Sequence, residues 1–289
     1  MLRTVLSEYI TRIRIRFQRR RIRVASLEET IAMIKDEGYS VSRFGDGEFY
    51  IMEGGKIGFQ NSSPELAERL KEVISSEIPG HLVCISNGIN PKNYKEFTQK
   101  HIEWMRRHFK NTVEMRLKYV DVNRRYGNLL ISRFWIPFRD KDRARRIAEQ
   151  LNEIWKDRDV VVIEGEKTRM GVGNDLLDDT RSCRRILCPA VGAFDKYDEI
   201  LKAACRYPKD VLFMIALGPT ATVLAYDLCC SGFQALDIGH IDLEYEWMKM
   251  GVSKQVDLPH KYVNELSGGD NAVELNDEKY LSQIDVRIR

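Results

Sequence analysis

Four apolar runs of strand length mark the second half of the chain, at 159–165 (DVVVIEG), 184–189 (RRILCP), 211–218 (VLFMIALG) and 233–239 (FQALDIG). None alternates polar with apolar, so each predicts a strand covered on both faces. The stretches between them, 174–183, 195–206 and 219–231, predict helices. In the first half, Ser26 with Glu29 three residues later forms a capping box for a helix over 26–37, closed by Gly38. SVSRF at 40–44 then predicts a strand, and Ser63-Pro64 opens a helix to about 77. HLVCIS at 81–86 predicts a strand, 93–119 a charged helix, NLLIS at 128–132 a strand and 140–156 a helix. Strand and helix in alternation, with continuously apolar strands, give an α/β fold: a doubly wound, mostly parallel sheet of Rossmann-like type.

Charge divides the chain unevenly. Residues 1–23 hold eight arginines against the single acid Glu8, a charge of +7, whereas the whole chain carries only +3. The body is therefore mildly acidic and the basicity belongs to a leader. Leu2, Val5, Leu6, Tyr9, Ile10, Ile13 and Phe17 fall on one helical face between those arginines. Such a helix suits docking on an anionic membrane leaflet or a partner, or simply caps the body as a solvated basic helix. Nucleic acid is disfavoured as a partner, because the acidic body offers no extended phosphate-tracking surface. This divides the chain into a basic amphipathic leader (1–25), one catalytic-sized domain (26–250) and a polar tail (251–289) with Gly268-Gly269 that is expected to wrap the surface or to be partly mobile. No run approaches 18 apolar residues and no signal-peptide pattern opens the chain, so the expected location is cytoplasmic. Six scattered cysteines without CxxC pairing are expected to be buried, reduced thiols.

In open α/β sheets ligands bind beyond the carboxyl ends of the strands, and the unusual polar clusters follow strands. After 40–44 comes Gly45-Asp46-Gly47-Glu48, preceded by Arg43. Two hard carboxylates about a glycine suit Mg²⁺ or Mn²⁺ shared with substrate phosphates, although the same residues also make an ordinary glycine turn with solvated acids. After 159–163 comes GEKTRMGVGND, in which Lys167, Thr168, Arg169, two glycines and an expected helix start near Asn174 suit a phosphate group or merely cap a helix. It is neither GxxxxGK[ST] nor GxGxxG, so ATPase and NAD readings lose their support. After 211–217 comes Gly218-Pro219-Thr220, whose hydroxyl faces a ligand or only a strand-to-helix turn. After 233–238 comes His240, Asp242, Glu244 and Glu246. If this segment is extended, His240, Asp242 and Glu244 share a face; if helical, Asp242 and Glu246 do.

Together, RFGDGE (43–48), EGEKTRMGVGNDLLDD (164–179), ILCPAVGAFDKYDEI (186–200), LGPTATVLAYDL (217–228) and DIGHIDLEYEW (237–247) resemble the bacterial glycosyltransferases of the GT-D fold, a family first catalogued as a domain of unknown function. The resemblance covers about 26–250. It implies transfer of a sugar, commonly glucose or another hexose, from a nucleotide-diphosphate donor such as a UDP-sugar. The acceptor would be a saccharide, lipid-linked or glycoprotein molecule in glycan or polysaccharide biosynthesis. The family's DxE metal pair falls on Asp46 and Glu48, which would hold Mn²⁺ or Mg²⁺. Arg43, Lys167, Thr168, Arg169, Asn174 and Thr220 are the expected substrate-binding residues. His240, Asp242 and Glu244 are the expected catalytic residues, one of the acids acting as base. The competing classes are a non-catalytic nucleotide or sugar-phosphate binding module and a phosphoryl-transfer enzyme.

Overall fold

The computed structural model describes residues 2–61, 63–263 and 276–289, and the side chains from residue 9 onward. Nine strands form one sheet: β1 (Arg23–Val24), β2 (Ser40–Phe44), β3 (His81–Ile85), β4 (Arg125–Asn128), β5 (Asp159–Gly165), β6 (Ser182–Cys188), β7 (Leu212–Ala216), β8 (Gln234–Asp237) and β9 (Ile284–Arg287). Their order is β1-β4-β3-β2-β8-β7-β5-β6-β9 and every pairing is parallel. Helices α1 (Leu2–Arg21), α2 (Leu27–Asp36), α3 (Asp46–Met52), α4 (Pro64–Ser75), α5 (Gln99–Arg116), α6 (Lys141–Trp155), α7 (Tyr197–Ala204), α8 (Pro219–Cys230), α9 (Ile241–Lys249) and α10 (Glu278–Gln283) accompany it.

The continuous apolar strands are explained by burial on both sides. Val160 and Val162 of β5 join one core with Leu212 and Met214 of β7. Val161, Ile163, Phe213 and Ile215, the alternate residues of the same strands, join another core on the opposite face. The capping box of α2 is complete: Ser26 Oγ accepts from the Glu29 amide at 3.1 Å, and Glu29 accepts from the Ser26 amide at 2.8 Å.

Three sequence expectations are corrected. Residues 174–183 form no helix but successive turns running into β6. There the Leu176 amide donates to Asn174 Oδ1 (3.0 Å), and the Leu176 and Asp179 carbonyls accept from Trp155 Nε1 and the Asp157 amide, so tertiary partners take what a helix would use. The strand expected at 128–132 stops at Asn128, whose side chain caps a 3₁₀ turn over Leu129–Ser132. The polar tail does more than wrap the surface, since α10 and β9 complete one edge of the sheet. Gly268-Gly269 lies outside the described residues, as do the side chains of Leu2, Val5 and Leu6. All six cysteines are free; Cys84 and Cys188 are buried as expected, but Cys205 and Cys230 are exposed.

One buried side chain of this frame makes stability depend on pH. His81, at the start of β3, is 4% exposed and bonds Ser42 Oγ through Nε2 at 2.8 Å. Burial, helped by the Arg124 charge, pushes its pKa down to about 4. Below about pH 6.5 the unfolded chain protonates this imidazole while the native state keeps it neutral, so stability falls as the pH falls towards 4. Between pH 6.5 and pH 5 the expected loss from His81 is about 2 kcal/mol, read by urea unfolding at both values. His81→Gln should flatten that slope, and an unchanged slope would refute the assignment.

Candidate active site

The chain leaves β2 towards β3 on one side and leaves β8 towards β9 on the other, although β2 and β8 are neighbours. Their carboxyl ends therefore flank a topological switch point, where open α/β sheets place their ligands. The two strands are tied by Arg43 and Asp237. Arg43 Nη2 lies 2.9 Å from Asp237 Oδ1, Arg43 Nε donates to the Asp237 carbonyl at 2.6 Å, and the Arg43 amide donates to Asp237 Oδ2 at 3.1 Å. Thr222 of α8 donates to the same Oδ2 at 3.1 Å, and Arg43 Nη1 donates to Ser132 Oγ. Both charged side chains are buried. The guanidinium expected to bind substrate is thus mostly committed to the protein, and it braces the floor of the rim.

Asp46 and Glu48 open α3 directly above this pair, where the positive end of the helix favours acids. Glu48 Oε2 accepts from the Gly45 amide at 2.7 Å. Desolvation, with the Asp237 charge added, pushes the Glu48 carboxyl up to about 7. The Asp46 side chain is half exposed, and its Oδ1 accepts from Arg116 Nη2 at 2.6 Å with His108 Nε2 3.1 Å away. Partial desolvation opposes its ionisation, but the His108 hydrogen bond and the Arg116 charge outweigh that and hold the carboxyl below its ordinary value. Arg116 is buried under the rim, its guanidinium 4.6 Å from the Phe49 ring centroid and 5.3 Å from that of Phe109. Hard oxygens of this kind fit Mn²⁺ or Mg²⁺. Among the described residues no group of three or more His, Cys, Asp and Glu could hold a metal alone. A cation here would therefore draw its remaining ligands from substrate oxygens and water.

On the other side of β8, the chain is helical from Ile241 onward, so Asp242 and Glu246 share a face and Glu244 leaves it. Asp242 Oδ1 accepts from the Gly171 amide (3.0 Å) and from Asn174 Nδ2 (2.8 Å), while Oδ2 pairs with buried Lys261 at 2.7 Å. Glu246 Oε1 accepts from Asn174 Nδ2 (2.8 Å) and Lys261 (3.1 Å). These bonds fasten the loop after β5 to the first turn of α9. Glu244 points elsewhere, accepting from the amides of Trp135 and Ile136 at 2.8 Å each. At 2% and 1% exposure, Asp242 and Glu244 are committed carboxylates that hold backbone in place.

The loop itself is built for close approach. Gly171 and Gly173 have φ of 76° and 79°, and Arg169 adopts φ 54°, which only a constrained environment imposes on a residue with a Cβ. The Met170 amide is held by buried Glu164 at 2.7 Å, which is itself paired with Arg185 at 2.6 Å. Arg169 Nη1 donates to the His260 carbonyl at 3.0 Å, and the Lys167 carbonyl accepts from the Tyr262 amide at 3.0 Å. Thr168 lies in the turn, its amide donating to the Gly165 carbonyl at 2.8 Å. A cleft of about 470 Å³ lies behind the loop, lined by Asn174 and Glu246 but by neither Asp46, Glu48 nor His240. Thr220 is fully buried in the first turn of α8, with Oγ1 3.3 Å from Gln60 Oε1. Phe59 of the same segment crosses Gly218 so closely that a Cβ there would lie 2.4 Å from its ring. His240 stands partly exposed at the N-cap of α9, next to Gly239, and an ideal Cβ on Gly239 would lie 3.5 Å from Arg43 Nη2.

The structure therefore gathers Arg43, Asp46, Glu48 and His240 at the switch point, and sets Lys167, Thr168, Arg169 and Asn174 on the adjoining loop. Sequence reasoning missed Arg116, His108, Asp237 and Lys261. Asp237 carried a signal, a lone acid ending an apolar strand. Lys261 and Arg116 carried none, since each is one cation among many and meets its acid only through folding.

A family model for the glycosyltransferase GT-D fold matches residues 41–266. The chain is 37% identical over 274 residues to Glycosyltransferase GlyD of Streptococcus pneumoniae serotype 4, and 36% identical over 279 residues to the Probable glycosyl transferase Gly of Streptococcus gordonii. Each match covers 92% of this chain but only 33% and 39% of those proteins, so the chain spans between a third and two fifths of their length. Among solved structures, a domain of unknown function 1792 described as having a distinct glycosyltransferase fold superposes with a TM-score of 0.89 at 36% identity, covering 95% of this chain and 98% of that one. A glycosyltransferase of the same domain type from Streptococcus sanguinis gives 0.86 at 36% identity, over 93% of this chain and 100% of that one. The rim at the β2–β8 switch point is thus carried on a fold shared along nearly the whole chain, and the chain belongs to the glycosyltransferases of the GT-D fold.

Proposed function

We propose that the protein transfers a hexosyl unit, glucose in the simplest case, from a UDP-type sugar nucleotide to a hydroxyl of a saccharide acceptor, free, lipid-linked or on a glycoprotein. The observation that carries this reading is that Asp46 and Glu48 stand at the carboxyl end of β2, at the switch point whose β8 side leads into α9, to which Asp242, Asn174 and Lys261 fasten the loop after β5. Asp46 and Glu48 would hold Mn²⁺ or Mg²⁺. When bound, that ion neutralises charge on the departing nucleoside diphosphate.

The chain's own residues supply the remaining functions. Lys167, Thr168 and Arg169 bind the donor diphosphate through their side chains. Asp242 keeps the turn in register through the Gly171 amide and Asn174. Thr220 and Gln60 secure the segment that brings Phe59 over Gly218. Among the expected catalytic residues, Asp242 and Glu244 are buried on donors, whereas His240 reaches the rim. His240 takes the proton of the acceptor hydroxyl, a role for which imidazole is suited near neutrality.

The test is nucleoside diphosphate release from a panel of sugar nucleotides, with Mn²⁺, with Mg²⁺ and with chelator, with and without saccharide acceptors. One donor should be turned over in the presence of metal, slowly by hydrolysis and faster with a suitable acceptor. If none is turned over but one sugar nucleotide raises the melting temperature, the rim binds without catalysing and the transferase proposal falls.

A further inference from the structure

Four of the nine large apolar side chains exposed among the described residues lie on α1: Tyr9 (62%), Ile10 (58%), Ile13 (52%) and Phe17 (62%). At 3.6 residues per turn they occupy a single stripe about 100° wide. The opposite face is the docked one. Ile15 packs on the main core, Arg19 Nε donates to the Ile89 carbonyl at 2.8 Å, and the Arg19 guanidinium lies 5.4 Å from the Phe109 ring centroid. Arg21 Nη2 donates to Asn123 Oδ1 at 2.7 Å, and Arg23, in β1, donates to the Asn123 carbonyl. The helix is therefore fastened to the body with its apolar stripe facing outward.

Exposed Arg12 and Arg16 border the stripe on one side and exposed Arg14 and Arg21 on the other, with Arg20 closing its C-terminal end and the Arg21 guanidinium 5.9 Å from the Phe17 ring centroid. No acid occurs from Tyr9 to Val24. An apolar stripe between two rows of arginines matches one environment, the boundary between headgroups and acyl chains of an anionic bilayer. There the aliphatic stems snorkel and the guanidinium groups meet lipid phosphates. A second copy of this helix fits poorly, because pairing the stripes would set arginine rows against each other. Among the described residues no helix is long and apolar enough to cross a membrane, so α1 would lie on the surface.

We propose that α1 is an interfacial helix that seats the protein on a bilayer rich in anionic phospholipid. The proposal rests on α1 alone and stands whether or not the transferase reading does. Phe109 of α5 contacts both Arg19 of α1 and Arg116, which holds Asp46, so the seated helix is two side chains from the rim.

The experiment is co-sedimentation of the full chain with vesicles of phosphatidylcholine alone, or with about 30 mole per cent phosphatidylglycerol. Binding is expected only to the anionic vesicles, weakening at about 0.5 M salt. Arg12→Gln with Arg16→Gln should lower the partition coefficient roughly 30-fold, which is about 1 kcal/mol for each arginine lost. Ile13→Glu with Phe17→Glu should lower it at least tenfold, with an unchanged melting temperature because both side chains are exposed. The proposal is overturned by absent binding, by equal binding to both vesicle types, or by variants that bind like the parent chain. It is also overturned if Ile13→Glu with Phe17→Glu instead dissolves an oligomer in sedimentation velocity, which would assign the stripe to a second copy.

Discussion

Replacing Asp46 and Glu48 together by alanine is expected to lower metal-dependent nucleoside diphosphate release at least a hundredfold, while the protein stays folded. The proposed ion has only these two protein ligands, and charge neutralisation at a leaving group is typically worth several kcal/mol of barrier. The structural cost comes from two lost contacts. Glu48 contributes a capping hydrogen bond to the Gly45 amide, worth about 1 kcal/mol. Loss of Asp46 leaves the buried Arg116 guanidinium without its carboxylate, beside His108 and the rings of Phe49 and Phe109, at a cost of about 3 kcal/mol. Steady-state rates across a Mn²⁺ titration, with thermal unfolding alongside, separate the two effects. Retained metal-dependent turnover in a folded double variant would remove Asp46 and Glu48 from the reaction.

The largest stability effect is expected at Asp237, which no ligand needs to touch. Asp237→Ala removes the carboxylate that satisfies the Arg43 guanidinium, the Arg43 amide and the Thr222 hydroxyl. Arg43 is 9% exposed and, among the described residues, keeps the Asp237 carbonyl and Ser132 as hydrogen-bond partners. Breaking a buried pair by removing one member typically costs 3–5 kcal/mol, because the other charge stays buried without compensation. In a domain of this size that lowers the melting temperature by roughly ten degrees. Replacing the pair together, Arg43→Met with Asp237→Leu, should recover much of the loss, since apolar residues of similar volume carry no such penalty. A single variant within 1 kcal/mol of the parent, or a double variant worse than the sum of the singles, would show that the pair does not brace β2 against β8.

How far the sequence could be read depends on the range of the interactions involved. The capping box at Ser26 and Glu29 was legible because it closes within four residues. The strands β5 to β8 were legible because burial on both faces gives each a continuous apolar stretch. Their ends also announced the rim, since polar residues after an apolar strand have few other reasons to cluster. Where local signals competed, the tertiary structure decided. At 174–183 the helical pattern lost to turns, because Asn174 is drawn towards α9 and the Leu176 and Asp179 carbonyls are claimed by Trp155 and Asp157. At 240–246 the sequence allowed two geometries, and α9 put Asp242 and Glu246 on one face while turning Glu244 towards the amides of Trp135 and Ile136.

The sequence by itself determined the α/β class, the parallel sheet and the family to which its ordered motifs point, because hydrophobic period, caps and glycine turns are local properties of the chain. Only the tertiary structure decided which charges meet: Asp46 with Arg116, 70 residues away, Arg43 with Asp237, 194 away, and Asp242 with Lys261. Pairing over such separations is set by strand order and helix packing, and one cation among 46 carries no mark of the acid it will meet.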